Sequence, residues 1–278
     1  MLRLLGSTIT LVALGTTAAT ASPCRAVSPP YTVALIELYT SQGCSSCPPA
    51  DDWLSRLNTR ESPLHAIPLA LHVGYWDYIG WKDPFARREF NDRQRWLAAR
   101  KSGGGVYTPE VFVGGSELAD WSQRDRFGAV LKSVVTRTAQ ANIDLQAHWI
   151  AAAAAGDRPE QRLAVQVRWS ADGSAGNPQL LLAVKRSGYM TDVRAGENRG
   201  TKLRGDHVVR AWDGPFSPQR QPLMTEIPVP VDAGDATLVA IAQDGKSGAV
   251  LQAVELPLAA CQASADAAGA APARTSPQ

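Results

Sequence analysis

The stretch YTSQGCSSCPPADD, residues 39–52, contains two of the four cysteines of the 278-residue chain. Cys44 and Cys47 follow the apolar run YTVALIELY, which two prolines precede and which we predict to be a buried strand. Pro48 and the aspartates behind it favour the first turn of a helix, because a helix start needs no N–H there and its dipole favours carboxylates. The cysteine pair is therefore predicted to lie between a strand and a helix.

Similar patterns continue for about ninety residues. LHAIPLALHV predicts a second buried strand, and a helix is expected from about Phe85 to Arg100. PEVFV and SELAD, joined by two glycines, predict a hairpin, and a last helix ends near Gln140. The predicted order over residues 31–140 is β-α-β-α-β-β-α. The first three strands, joined by helices, are expected to be parallel, and the fourth antiparallel.

The pattern changes near residue 141. Segments such as RLAVQVRW, PQLLLAVKR and ATLVAIAQ alternate or run apolar over strand lengths, with turn residues between them. Several short strands of this kind predict a β-sandwich-like domain over residues 141–260. The last residues, 262–278, are rich in Ala, Ser and Pro without large apolar side chains, and they are predicted to be disordered.

The first 21 residues have the pattern of an export signal. Arg3 precedes a short apolar stretch, and small residues ending at Ala21 form a cleavage site, so residues 1–21 are predicted to be a signal peptide. The protein is expected to be periplasmic or secreted, where disulfides persist. No stable membrane insertion is expected. The net charge of +2 offers no concentrated basic field for nucleic acid.

The other two cysteines, Cys24 and Cys261, lie near the two ends of the mature chain. A disulfide between them would close a loop of nearly the whole protein and stabilise it by roughly 4–5 kcal/mol in the chain-entropy model. Two unpaired thiols are the alternative. The sequence leaves both open, because connectivity cannot be deduced from spacing.

Cys44 and Cys47 have the spacing of a redox pair at a helix start. The helix dipole stabilises a thiolate there, which makes Cys44 the candidate nucleophile and Cys47 the resolving cysteine. The chemistry needs no cofactor, and its partners are expected to be protein thiols or disulfides. Asp51 and Asp52 oppose a nearby thiolate. Two alternatives stay open: a non-catalytic binding module with a structural disulfide, and a copper-binding or copper-delivery protein using both cysteines and His72.

The insert HVGYWDYIGWKDPF is rich in aromatic and charged residues. His72 ends a strand beside the one that leads to Cys44, and the carboxyl ends of such strands line functional crevices. His72 is predicted to satisfy a buried hydrogen bond, to act as base or charge partner of Cys44, or to bind copper. Tyr75 and Trp76 are predicted to be structural, or to form a lid over the redox site and contact substrate. Glu37, inside a buried strand, is a paired core carboxylate or a proton acceptor.

The segment LYTSQGCSSC resembles the active-site segment of thioredoxins and glutaredoxins, and YTPEVFVGGSEL resembles the second signature of that superfamily. This resemblance implies a thioredoxin-like domain over residues 31–140. It also implies that Pro109 follows a cis peptide bond and packs against the cysteine pair, with Thr108 beside it at the substrate-binding face. Gly43 stands where thioredoxins have an aromatic residue, and Gln42 and its neighbours lack the basic residue that glutathione binding would use.

A closer resemblance covers most of the chain. ELYTSQGCSSCPPADD, HVGYWDYIGWKDPF, VYTPEVFVGG, GENRG and DHVVRAW together are similar to a family of exported bacterial thioredoxin-like proteins of unknown function. This resemblance implies location and fold, and it implies no established activity. The function expected from the sequence rests on the export signal and on the Cys44–Cys47 pair at a helix start, and it is that of an exported thiol–disulfide oxidoreductase.

The second half contributes one polar stretch, GENRGTKLRGDHVVR. It is predicted to be a solvated hairpin. In the alternative interpretation, five of its side chains reach a crevice between the domains, a common place for sites: Glu197, Asn198, Arg199, Asp206 and His207.

Overall fold

The structure is a computed structural model that describes residues 24–57, 66–150, 160–218, 221–230, 236–259 and 261. The predicted signal peptide and the predicted disordered tail lie outside the described residues. The fold belongs to the mixed α/β class and is dominated by sheets. None of the helices in the described part of the chain is long and apolar enough to cross a membrane.

The chain forms three α-helices and fourteen strands within the described ranges, and a short 3₁₀ turn covers Asp77–Ile79. The helices are α1 (Pro48–Ser55), α2 (Arg88–Ala98) and α3 (Arg124–Val135). The strands are β1 (Arg25–Val27), β2 (Ala34–Thr40), β3 (Ala66–His72), β4 (Glu110–Val113), β5 (Ser116–Glu117), β6 (Ala141–Ile150), β7 (Glu160–Ala171), β8 (Pro178–Arg186), β9 (Tyr189–Asp192), β10 (Lys202–Gly205), β11 (Val208–Phe216), β12 (Leu223–Pro230), β13 (Thr237–Asp244) and β14 (Val250–Pro257).

The predicted element order of the first half is present as β2-α1-β3-α2-β4-β5-α3. β2 and β3 are parallel, with Thr40 opposite His72, and β5 pairs antiparallel with β4. The prediction that the third strand is parallel is wrong, because β4 runs antiparallel to β2. α2 starts beside the end of β3, and residues 99–109 then carry the chain back to that end. β4 therefore begins opposite Tyr39 and runs against β2.

One eight-stranded sheet contains strands from both halves, in the order β14-β13-β8-β11-β3-β2-β4-β5. β11 joins the two halves by pairing parallel with β3, where the Ala70 N–H donates to the His207 carbonyl. The predicted division near residue 141 stays a prediction, and this sheet crosses it. A second sheet, β1-β6-β7-β12, shares a buried apolar core with β8, β13 and β14.

Helices cover both faces of the first half of the large sheet. α1 and α3 contribute Leu54, Leu131 and Val134 to the core on one face, while α2 contributes Phe90 and Leu97 to the core on the other. Because β2 and β3 are buried on both faces, their sequences are apolar without alternation.

A buried ion pair fastens α2 to the sheet. Arg93 Nε donates to Glu37 Oε1 at 2.6 Å and Nη2 donates to Oε2 at 3.1 Å, while Nη1 donates to Gln243 Oε1 at 3.0 Å. Both partners of the ion pair are buried. Of the two interpretations of Glu37, the geometry matches the paired core carboxylate.

The ends of the described chain are joined by a disulfide between Cys24 and Cys261. Their Cα atoms are 4.9 Å apart across a sequence separation of 237 residues. Both cysteines lie against the core between the two sheets. The described structure thus contains the long-range bond that the sequence left open.

Candidate functional site

A second disulfide, between Cys44 and Cys47, lies in the turn between β2 and α1. The Cα atoms are 5.4 Å apart, and both cysteines are fully buried. Two backbone hydrogen bonds shape the turn: the Cys44 N–H donates to the Ser41 carbonyl, and the Cys47 N–H donates to the Cys44 carbonyl. Cys47 directly precedes Pro48, the first residue of α1. The pair is therefore held at the start of a helix.

The Thr108 carbonyl lies beside the first cysteine. Cys44 Sγ is 3.8 Å from this oxygen and 3.3 Å from the Ser46 hydroxyl oxygen. The Ser46 hydroxyl also donates to the Thr108 carbonyl at 3.4 Å. The peptide bond between Thr108 and Pro109 is cis. The structure thus brings together residues 41–47, called the cysteine turn below, and the residues preceding β4, which are more than sixty positions away in the chain.

Trp76 connects these two segments. Its indole Nε1 donates to Thr108 Oγ1 at 2.7 Å, and a Cβ added to Gly43 would lie 3.2 Å from the Trp76 Cβ. Gly43 therefore leaves room for the Trp76 side chain beside the cysteine turn. The neighbouring Tyr75 hydroxyl is also buried. Burial raises the pKa of Tyr75, although hydrogen bonding with Gln94 and Thr108 acts in the opposite direction.

His72 makes a buried hydrogen bond, the first of its three predicted roles. Its Nδ1 lies 2.7 Å from Asp83 Oδ2, and the same oxygen accepts the Gln42 N–H at 2.8 Å. Burial acts to lower the pKa of His72, but the charge and hydrogen bond of Asp83 outweigh it and the pKa is raised. Burial likewise acts to raise the pKa of Asp83, yet His72 and two backbone N–H groups bring it below its ordinary value.

In the described part of the chain, no hydrogen bond joins His72 to Cys44 or Cys47. The hydrogen bonds of Asp83 to His72 and to the Gln42 N–H connect His72 to the turn. Among the described residues, no group of three or more His, Cys, Asp and Glu side chains is arranged to hold a metal ion. The predicted copper set of both cysteines and His72 is therefore not assembled in this structure.

The sequence placed Asp51 near the cysteine pair as an opposing charge, but it did not reveal the raised pKa of this residue. Its N–H donates to the Cys47 carbonyl at 3.1 Å, within the first turn of α1. Burial of the carboxylate raises the pKa of Asp51 to about 7, although the nearby charge of His72 acts in the opposite direction. Its position four residues after Cys47 was the available signal, because residues at that spacing share a helix face.

The loop between β9 and β10 also contacts the cysteine turn. The Ser45 N–H donates to Glu197 Oε2 at 2.8 Å. Asn198 Nδ2 donates to the carbonyls of Gln42 and Cys44, both at 2.9 Å. Asn198 is buried, as the alternative interpretation of GENRG expects, whereas Glu197 is exposed and still contacts the cysteine turn.

The other three polar residues named with that stretch do not join the cysteine turn. Arg199 is exposed. Asp206 and His207 line a separate groove of about 690 Å³, together with Ser55 and Lys185. Burial lowers the pKa of His207 to about 4, and the charge of Lys185 adds to this effect.

These features define a mixed α/β protein with a buried disulfide between a strand end and a helix start, covered by loops from both halves of the chain. Residues 35–243 match the sequence profile of a family described as "Protein of unknown function (DUF1223)", and the chain belongs to this family.

Two solved structures share the fold. The protein AGR_C_4864 from Agrobacterium tumefaciens is 23% identical, with a TM-score of 0.53 over 81% of this chain and 95% of that one. HBP35 of Porphyromonas gingivalis is 13% identical, with a TM-score of 0.56 over 83% of this chain and 76% of that one. A search of curated proteins finds no match.

Proposed function

We propose that this protein is an exported thiol–disulfide oxidoreductase, in which Cys44 exchanges with thiols or disulfides of partner proteins and Cys47 resolves the mixed disulfide. The observation that carries the proposal is the Cys44–Cys47 bond at the start of α1, with the Thr108 carbonyl 3.8 Å from Cys44 Sγ. A helix start stabilises a thiolate, and a thiolate is the species that leaves or attacks in disulfide exchange.

We further propose that residues 31–140 form a thioredoxin-like unit. Support comes from the strand order β3-β2-β4-β5, with β2 and β3 parallel, β4 antiparallel to β2, and helices on both faces. In this proposal Pro109 shapes the site and Thr108 contacts the polypeptide substrate, since the Thr108 carbonyl lies beside the sulfur. Trp76 and Tyr75 form the wall of the substrate site next to it.

The exchange can be written from the oxidised state of the structure. A thiolate of a partner dithiol attacks Cys44 Sγ, so that a mixed disulfide forms, the Cys44–Cys47 bond breaks and Cys47 leaves as a thiolate. The second partner thiolate then attacks the partner sulfur of the mixed disulfide, and Cys44 leaves. The partner loses two electrons and two protons and the cysteine pair gains them. In the reverse direction a partner disulfide is reduced.

Access to Cys44 is part of the proposal. Because both cysteines are fully buried, an attacking sulfur reaches Cys44 only after a covering segment moves. Trp76 covers the turn on the side of Thr108. The loop that carries Glu197 and Asn198 contacts the backbone of Cys44 and Ser45. This arrangement favours a protein partner that displaces the cover over a freely diffusing small thiol.

Trapping tests the proposal directly. In a Cys47→Ala variant the mixed disulfide cannot be resolved, so we expect covalent complexes with extracytoplasmic proteins that disappear on reduction. Cys44→Ala is the matched control and should trap none, because it lacks the attacking sulfur. The absence of complexes from Cys47→Ala, together with a wild-type bond that stays closed in reducing buffers while the protein is folded, would indicate a structural disulfide. Stoichiometric Cu(I) binding lost in His72→Ala would instead indicate the copper protein.

A further inference from the structure

The side chain of Glu197 lies next to the reactive end of the cysteine pair although it comes from the other half of the chain. Glu197 Oε2 accepts the N–H of Ser45, the residue that directly follows Cys44, at 2.8 Å. Asn198 holds the same loop in place by donating to the carbonyls of Gln42 and Cys44. The carboxylate therefore occupies a fixed position on the turn.

The Ser45 N–H lies in the turn that leads into α1, next to Cys44 and two residues before the N-cap Cys47. The helix dipole stabilises an anion at this end, and when the Cys44–Cys47 bond is reduced, the Cys44 thiolate is that anion. Glu197 accepts the N–H adjacent to Cys44 and places a negative charge there, so it opposes the stabilisation of the thiolate.

Glu197 is ionised at neutral pH. The backbone N–H and the side chain of Ser45 both hydrogen-bond its carboxylate and lower its pKa. The other charged or titratable groups near the turn are Asp51 and Asp52 from α1, His72 at the end of β3, Asp83 after it, and Arg199 in the loop of Glu197. Among these carboxylates, Glu197 accepts the N–H adjacent to Cys44, and Asp83 accepts the more distant N–H of Gln42.

We propose that Glu197 is a positioning residue that destabilises the Cys44 thiolate and thereby makes the cysteine pair a weaker oxidant, an inference that rests on the proposed redox function. A destabilised thiolate raises the free energy of the reduced state relative to the disulfide and lowers the reduction potential. The second half of the chain thus sets the redox strength of a pair that belongs to the first half. Asn198 contributes by fixing the loop from which Glu197 reaches Ser45.

The test replaces the charge and keeps the shape, by Glu197→Gln in the mature protein. The amide oxygen of glutamine still accepts the Ser45 N–H, so only the charge is lost. Wild type and variant are equilibrated in glutathione redox buffers, and free thiols are counted by alkylation and mass spectrometry. Thiolate absorbance against pH gives the pKa of Cys44. The matched control is Glu226→Gln, an exposed carboxylate on β12 that pairs with Arg162.

We expect Glu197→Gln to shift the glutathione equilibrium toward the reduced pair by roughly three- to tenfold, as befits one exposed charge near the site. The pKa of Cys44 should fall in parallel, and Glu226→Gln should change neither quantity. If the wild-type pair equilibrates with glutathione but Glu197→Gln leaves the potential and the pKa of Cys44 unchanged, the inference alone is overturned. An inert wild-type disulfide in the folded protein overturns the proposed function and the inference together.

Discussion

His72 Nδ1 lies 2.7 Å from Asp83 Oδ2, and that same oxygen accepts the N–H of Gln42, two residues before Cys44. The contact connects the end of β3, the loop that leads to α2 and the cysteine turn. Both side chains are buried, so the geometry of the turn depends on a pair of groups whose charges depend on pH.

This pair predicts a pH-dependent stability. The pKa of His72 is raised, so the stabilisation by its charged form is complete below about pH 6.5, the ordinary histidine value, and is lost as the pH rises through the folded pKa. The pKa of Asp83 is lowered, so its contribution is present above about pH 4 and is lost as the pH falls through the folded pKa. The pair therefore stabilises the fold most in the weakly acidic range.

Urea unfolding of wild type and Asp83→Ala over a pH series checks this expectation. Removing one partner of a buried pair should cost about 3–5 kcal/mol near pH 6. The cost should shrink above the raised pKa of His72, since the remaining imidazole is then neutral. Asp52→Asn, at an exposed position on α1, is the control. A cost that is the same at every pH would contradict the assignment of a charged pair.

Asp51 predicts a second pH dependence, in the same direction as that of His72. Because burial raises its pKa to about 7, the folded state binds a proton between about pH 4 and 7 that the unfolded state has lost. The stability of wild type should therefore fall as the pH rises through this range. Asp51→Asn removes the effect and should stabilise the protein by about 1–3 kcal/mol at pH 8, since solvent screens part of the charge. Equal stabilities of the two proteins at pH 8 would show that Asp51 ionises normally.

Trp76 predicts an effect on the rate at which the disulfide is reduced. Trp76→Phe keeps most of the ring and loses the hydrogen bond to Thr108, which is worth roughly 1 kcal/mol. This hydrogen bond holds Trp76 over the cysteine turn. In Trp76→Phe, reduction of the Cys44–Cys47 bond by a small thiol should therefore be about fivefold faster than in wild type. Tyr78→Phe, at a position that is 83% exposed, is the control. Alkylation of the released thiols over time measures the rate, and an unchanged rate would mean that Trp76 does not limit access.

The ion pair of Glu37 and Arg93 predicts a large loss of stability when one charge is removed. Arg93→Met leaves the Glu37 carboxylate buried without its partner and should cost about 3–5 kcal/mol in urea unfolding. Replacing both residues with apolar ones should recover most of this loss, because no unpaired charge is then buried. Arg95→Met, exposed on the same helix, should change the stability by less than about 0.5 kcal/mol. A double variant as unstable as Arg93→Met would show that the pair itself drives folding.

Local sequence patterns were sufficient for the elements near the cysteines. The apolar run of β2, the prolines at the start of α1 and the glycines between β4 and β5 each predict the element observed there. Each of these features depends on residues that are close together in the sequence. The direction of β4 was predicted wrongly, since the path of residues 99–109 is set by packing against the finished sheet and leaves no local pattern.

The order of the elements in the first half and the place of the cysteine pair at a helix start can be predicted from the residues alone, because periodicity and helix-start preferences are short-range effects. The pairing of β11 with β3 in the same sheet, and the contact of Glu197 with Ser45 across a separation of 152 residues, are visible only in the folded chain. Such long-range contacts form only when two packed segments bring their residues together. No local pattern within either segment predicts them.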